Sequence, residues 1–415
     1  MERTKYFWFG VLTAIVMYMC SGWWIGVNHH AVDWVNFIII GGLTYWTLIW
    51  ANKALYEYQY GSDALQMPPA GSSEKAHWFA NLDFLRVVFT ICVLLSHFVQ
   101  RLAIWNRGGL SVALFFILSG FLLYYTFSDK ITIPGYIKKR LIQFIPLIVL
   151  GTLLRILFIH NVNIFDMLAE FFLMTSTGMA KLCKYNSVSW YISVLFWASL
   201  FYIYMLKTKK RETVNLTVGI LTFLGTVACI KRGLTHNDFL GNEGDIGFIF
   251  DMRFVYGLTT IGWGYFLGVI YKLVDKQTVT SNISKWLWTI AEGFILFYSV
   301  AFMFVEKLYS GNSAFVFLSF AVLILLFLLN KGYISQWFNK RIWTFLAKYA
   351  LAIYLVQGIT VWEIFPRVQK MYPVFFQNNH AVVIIATVLL CCVFGIWAHH
   401  VIEKPCADAL KKLTK

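Results

Sequence analysis

Runs of roughly 20 predominantly apolar residues recur along this chain, and that recurrence limits its fold more than any other feature. The runs cover approximately 6–27, 34–51, 82–104, 108–127, 142–159, 187–206, 214–230, 254–272, 286–305, 313–329, 343–362 and 381–401. Each is long enough to cross hydrocarbon as a helix, where every backbone N–H and C=O must find its partner within the segment. Of the 415 residues, 59% are hydrophobic and only 13% charged, against about a quarter charged in soluble domains. A soluble domain of this size cannot hide that much apolar surface. The pattern predicts an all-α, polytopic integral membrane protein with about twelve transmembrane helices. It excludes a soluble enzyme, a disordered tail and a disulfide scaffold. The segment 164–174 is too short to cross and is expected to be re-entrant or interfacial.

An even number of crossings puts both termini on one side. Most of the 35 Lys and Arg fall in the loops of the N-terminal side, including Arg3, Lys5 and the loops 128–141 and 207–213. The positive-inside bias therefore places both termini in the cytosol, with the chain in the plasma or inner membrane. The net charge of +15 is then largely a cytosolic layer, a mark of orientation and not of nucleic-acid binding, and the outer face is near neutral. The first run is not followed by a small-residue cleavage site and is expected to stay as a span. Residues 52–81, with Gly61-Ser62-Asp63, Pro68-Pro69-Ala70 and Gly71-Ser72-Ser73, form a turn-rich linker. The expected organisation is a two-helix membrane unit (1–51), a cytosolic linker (52–81), a ten-helix membrane domain (82–405) and a short cytosolic tail (406–415). Cys183 and Cys229 both fall near the outer face, where they can pair or stay separate.

Ionisable residues inside apolar runs carry the chemistry. Arg86 and His97 are eleven residues apart, about three helical turns, so they share one face some 16 Å apart along the axis. Asp83 and Thr90 extend the stripe, and Asp83 can pair with Arg86. Charged groups in a span normally face a polar cavity, so the stripe predicts a wet groove. A neutral imidazole can remove a proton from a hydroxyl during acyl transfer. It can also attack the acyl group itself. The competing structural role for His97 is a core histidine bonded to a backbone carbonyl. The segment Gly108–Phe121 has small residues that permit close helix packing. The basic cluster Lys138-Lys139-Arg140, expected at the end of a cytosolic loop, suits anionic lipid heads or a phosphate-bearing cosubstrate. Arg155 is expected to line the outer mouth with His160 or to snorkel, and Glu292 and Lys348 to pair across helices. The outer segment 231–253, with Asp238, Glu243, Asp245 and Asp251, suits a polar substrate or is a solvated loop.

These residues resemble the acyltransferase 3 family of polytopic membrane proteins. Leu82-Asp83-Phe84-Leu85-Arg86 with His97 is similar to the family's opening motif and its Arg-x10-His spacing. Val112 to Phe121 is similar to the second-helix signature, and Arg140 with Pro146 to the basic motif that opens the third helix. Ser189-Trp190-Tyr191-Ile192, Tyr349 to Gln357 and Ile402-Glu403-Lys404-Pro405 are weaker matches. The resemblance covers roughly 80–405. The chain departs from it at Gln143, where a second Arg is common, at Gln357, where many members have His, and at Leu195, where many have Glu. Family members move an acyl group, usually acetyl, from cytosolic acyl-CoA to a sugar hydroxyl of a surface glycan. With a short tail, no extracytoplasmic hydrolase-like domain is expected, and transfer is expected inside the membrane domain or with a separate partner.

The resemblance therefore implies a membrane O-acetyltransferase using acyl-CoA as cosubstrate and no metal, with a glycan acceptor on the outer side, lipid around it and no nucleic acid. It implies that Arg86, Arg140 and Lys139 hold the acyl-CoA, and that His97 with Arg86 carries the transfer. The rival class is a secondary transporter or exporter of a glycan or its precursor. Against it stands the absence of an internal repeat and of paired broken helices in the sequence. A glycan-assembly partner with a degenerate site is the third reading, favoured by Gln143 and Gln357 and opposed by Arg86 and His97.

Overall fold

A computed structural model of the chain describes residues 79–99, 108–159, 162–177, 185–236, 245–246, 250–274, 281–301 and 313–413. The expected spans 6–27 and 34–51, nearly all of the linker, His160 and Cys183 lie outside the described residues. The described chain is all-α apart from one two-residue antiparallel ladder, Asp245–Ile246 with Phe250–Asp251. It divides into two compact units, Ala76–Gly395 and Met1–Lys75 with Ile396–Lys415.

The larger unit opens with α1 (Ala80–Val99), a 3-10 turn (Gly108–Leu110), α2 (Ser111–Thr126), α3 (Ile133–Ile156), the short α4 (Ile164–Phe171) and α5 (Ser189–Thr208). Then follow α6 (Arg211–His236), α7 (Met252–Leu273), α8 (Asn282–Ala301) and α9 (Ser313–Leu329). Short helices α10 (Tyr333–Phe338) and α11 (Arg341–Ala347) lead to α12 (Ala350–Gly358), a π-helical turn (Ile359–Ile364), α13 (Phe365–Met371), α14 (Pro373–Asn378) and α15 (His380–Ala398). Among the described residues, six helical stretches are long and apolar enough to cross a membrane: Ala80–His97, Ser189–Thr208, Arg211–Cys229, Met252–Lys272, Arg341–Met371 and Ala381–Lys412. Ser111–Thr126 and Val316–Leu329 are shorter apolar helices. Large apolar side chains stand exposed on α6 (Leu216, Phe223), α8 (Ile290, Phe297) and α15 (Ile385, Leu389). Such faces are stable against lipid and not against water.

The tightest packing is between α2 and α7. Gly120 lies against the Ile261 carbonyl and Gly264 against that of Ile117, so a Cβ at either position would collide with the opposing backbone. Small residues let the helices meet by van der Waals contact, which replaces the hydrophobic drive that lipid removes. α2 is consequently buried on nearly all sides, and α7 also packs on α5 and α6.

Two local features depart from the sequence reading. The basic cluster sits on helix, not in a loop: α3 starts at Ile133 because Thr132 caps it, its side chain accepting from the Gly135 N–H, with a proline in the first turn. Glu292 does not turn toward Lys348. Its carboxylate accepts from the Gly332 N–H (3.0 Å), the Ser335 N–H (2.9 Å) and the Ser335 hydroxyl, capping α10 from α8. Lys348 lies over the Phe345 and Tyr349 rings.

In the smaller unit the described residues form the end of α15, a π-helical turn (His399–Glu403) and α16 (Lys404–Leu413). His399 Nδ1 lies 2.7 Å from Glu403 Oε2.

Candidate active site

Helix α1 carries the stripe expected of it. Asp83 is buried and pairs with the half-buried Arg86 at 3.2 Å. Thr90 donates to the Arg86 carbonyl at 2.7 Å. Arg140, two turns into α3, donates through Nε to Tyr136 Oη and through NH1 to Gln143 Oε1, both at 3.1 Å. Gln143 thus orients this guanidinium instead of adding a second charge. The guanidinium carbon lies 5.2 and 5.8 Å from the centroids of the Tyr136 and Phe144 rings. Lys139 is exposed.

Tyr191 is buried, and both guanidiniums act on its hydroxyl electrostatically; the Ser119 hydroxyl donates to the Phe115 carbonyl at 2.7 Å. Three separate sequence segments therefore bring charge or a hydroxyl into one electrostatic neighbourhood: Arg86 from α1, Arg140 from α3 and Tyr191 from the first turn of α5. Tyr191 also packs on Tyr354 of α12, with ring centroids 5.4 Å apart.

At the other end of α1, His97 is half-buried and meets the Trp362 ring edge-on, centroids 5.2 Å apart. The Arg155 guanidinium lies 5.2 Å from the same indole. Arg155 pairs with Glu363 at 2.9 Å, and Glu363 also takes Arg367 at 2.6 Å. The expected span end at 362 placed Glu363 in a loop. The structure continues the helix through Met371, so Glu363 stands on a candidate spanning helix and pairs with Arg155. Trp362 and Glu363 were missed in the sequence because the π-helical turn that presents them breaks the 3.6-residue period.

The short α4 is anchored beside this region. Glu170 is buried and accepts from Thr152 Oγ (2.8 Å), the Tyr185 N–H (2.8 Å) and the Asn186 N–H (3.0 Å). Burial pushes its carboxyl above the ordinary value, and those donors with the nearby Arg155 charge pull against that rise. The opposite face shows Ile164, Phe165 and Phe172 to the outside, as an interfacial segment should. Leu173 then takes a left-handed φ of 61°. Its carbonyl accepts from Ser193 Oγ and from Trp197 Nε1 (2.8 Å), which offsets the strain.

The family model of the acyltransferase 3 group, described as an acyltransferase domain, matches residues 79–399. The chain belongs to the acyltransferase 3 family. It is a membrane acyltransferase. No curated protein and no solved structure matches it. The family match takes in both ends of the α1 stripe, the Arg140 site on α3 and the Trp362 turn.

Proposed function

We propose that this acyltransferase moves an acetyl group from cytosolic acetyl-CoA to a hydroxyl of a cell-surface glycan, in the plasma or inner membrane with both termini cytosolic. The observation that carries this reading is the division of α1. Its Arg86 end shares the electrostatic surroundings of Tyr191 with Arg140, and its other end presents His97 against Trp362. Positive-inside bias puts the Arg86 end at the cytosol. Arg86 and Arg140 are suited to CoA phosphates, being planar and multidentate donors, and Lys139 adds charge at the membrane surface.

The acyl group then reaches His97 along the α1 face. His97 removes the proton of the acceptor hydroxyl as its oxygen attacks the thioester carbonyl. Collapse of the tetrahedral intermediate expels the CoA thiolate, which takes up a proton, and the acetyl ester leaves on the sugar. Trp362 fixes the imidazole plane and lies against Arg155, which Glu363 pairs. The test is His97→Ala, with mass spectrometry of surface glycans and acetyl-CoA turnover by the purified protein in detergent. Acylation and turnover should both be abolished with the protein still inserted. Unchanged acylation would overturn the role of His97.

A further inference from the structure

The two ends of α1 are joined by a stretch in which one polar group stands out. Gln357, in the last turn of α12, is fully buried, and both its amide Nε2 and Oε1 lack a hydrogen-bond partner among the described residues. A buried amide left unpaired destabilises a fold by about 1–3 kcal/mol, so its retention calls for a partner that comes from elsewhere.

Its neighbours say where that partner would lie. Gln357 shares a helix face with Tyr354, three residues before it, and Val361, four after. Tyr354 packs on Tyr191, whose hydroxyl feels the charges of Arg86 and Arg140, and its own hydroxyl donates to the Val188 carbonyl at 3.1 Å. Val361 belongs to an apolar cluster with Leu94, one turn short of His97 on α1. The amide therefore sits between the arginine end and the histidine end. Polar lining continues beside it: Asn186 Oδ1 and Ser189 Oγ are also unpaired and buried, while Asn186 Nδ2 donates to Leu355 of the same helix. The turn after Gln357 is π-helical, a geometry found often at functional sites.

Resting on the donor reading above, we infer that Gln357 binds the pantetheine arm of the acyl-CoA as the arm passes from the arginines to His97. The arm carries two secondary amides, each with a carbonyl and an N–H. A primary amide supplies a donor and an acceptor to match them, whereas it is a poor partner for phosphates, which the guanidiniums take. A sugar acceptor approaching from beyond His97 would not reach this position first.

The test uses the full-length protein in detergent, with Gln357→Met and, as a second variant, Gln357→Leu. Three probes separate the parts of the donor: acetyl-CoA, S-acetyl-pantetheine (arm without nucleotide) and adenosine 3′,5′-bisphosphate (nucleotide without arm). Both variants should raise the melting temperature of the unliganded protein, since an unpaired buried amide is replaced by an apolar group of similar size. Both should weaken acetyl-CoA and acetyl-pantetheine binding about tenfold and leave the bisphosphate unchanged. A lowered melting temperature in both variants would mean that the amide serves the fold, and unchanged acetyl-pantetheine binding would mean that the arm passes elsewhere. Either result overturns the inference while leaving the donor reading intact. Failure of the wild-type protein to bind acetyl-CoA at all would remove the donor reading and this inference together.

Discussion

Glu363 offers the sharpest test of how the His97 end is held. Its carboxylate, 11% exposed, lies 2.9 Å from Arg155 Nε and 2.6 Å from an Arg367 NH1, whose side chains are 18% and 41% exposed. Two unit charges about 4 Å apart attract by roughly 4 kcal/mol at an effective dielectric near 20. Desolvation offsets part of that for the enclosed Arg155 arm. For the open Arg367 arm, screening and side-chain entropy leave less than about 1 kcal/mol despite the shorter distance. Glu363→Gln should therefore lose ~2–3 kcal/mol, near the low end for a broken buried pair. The assay is denaturant unfolding of the purified protein in detergent, with double-mutant cycles to Arg155→Met and Arg367→Met. The coupling should be about 2 kcal/mol to Arg155 and below about 0.5 kcal/mol to Arg367. Acyl transfer by Glu363→Gln should fall about tenfold as Trp362 loses its support. A coupling to Arg367 equal to or above that to Arg155 would refute the argument, because burial would then not be what decides the energy.

Two further outcomes follow from the packing. Gly120→Ala should destabilise the α2–α7 crossing by about 1–3 kcal/mol, since its Cβ lands on the Ile261 carbonyl; Gly219→Ala, whose nearest atom on the Phe266 ring is 3.6 Å away, is the control and should melt as wild type. Glu170 has its carboxyl raised by burial above an ordinary value of 4.5, so the neutral form is favoured on folding. Its contribution is intact below pH 4.5 and is lost as pH rises through the raised value. Glu170→Gln can keep the Tyr185 and Asn186 contacts through its carbonyl and donate to Thr152 through its amide. Its melting temperature should not show that decline, and parallel pH profiles for the two proteins would contradict the assignment.

Much of the architecture is legible in the sequence because lipid imposes a simple rule. Long apolar runs must be helices, since no water is present to satisfy the backbone. The positions of α1, α2 and α5 to α9 follow from that rule. The Arg86–His97 pair is legible for the same reason: charges inside an apolar run stand out, and helical periodicity puts both on one face. Boundaries are less legible where polar residues continue a helix. α3 takes Lys138 to Arg140 onto its first turns because Thr132 caps it early, and the stretch beyond Trp362 stays helical through a π turn that hydropathy does not register.

What the tertiary structure decided is which polar groups meet. Nothing in linear order joins Arg86, Arg140 and Tyr191, and only the fold brings the two charges into the surroundings of the tyrosine. Arg155 and Glu363 are separated by half of the chain, yet each is the other's partner. Glu292 is an intramembrane carboxylate in the sequence and a helix cap in the structure. The physical reason is common to all three. Hydrophobicity is a local property that places a segment in lipid, whereas satisfying a buried charge or amide depends on groups that other segments deliver. By itself, then, the sequence determined a polytopic helical membrane protein with ionisable groups at both ends of α1, and the fold decided which of those groups build a site and which only hold a helix in place.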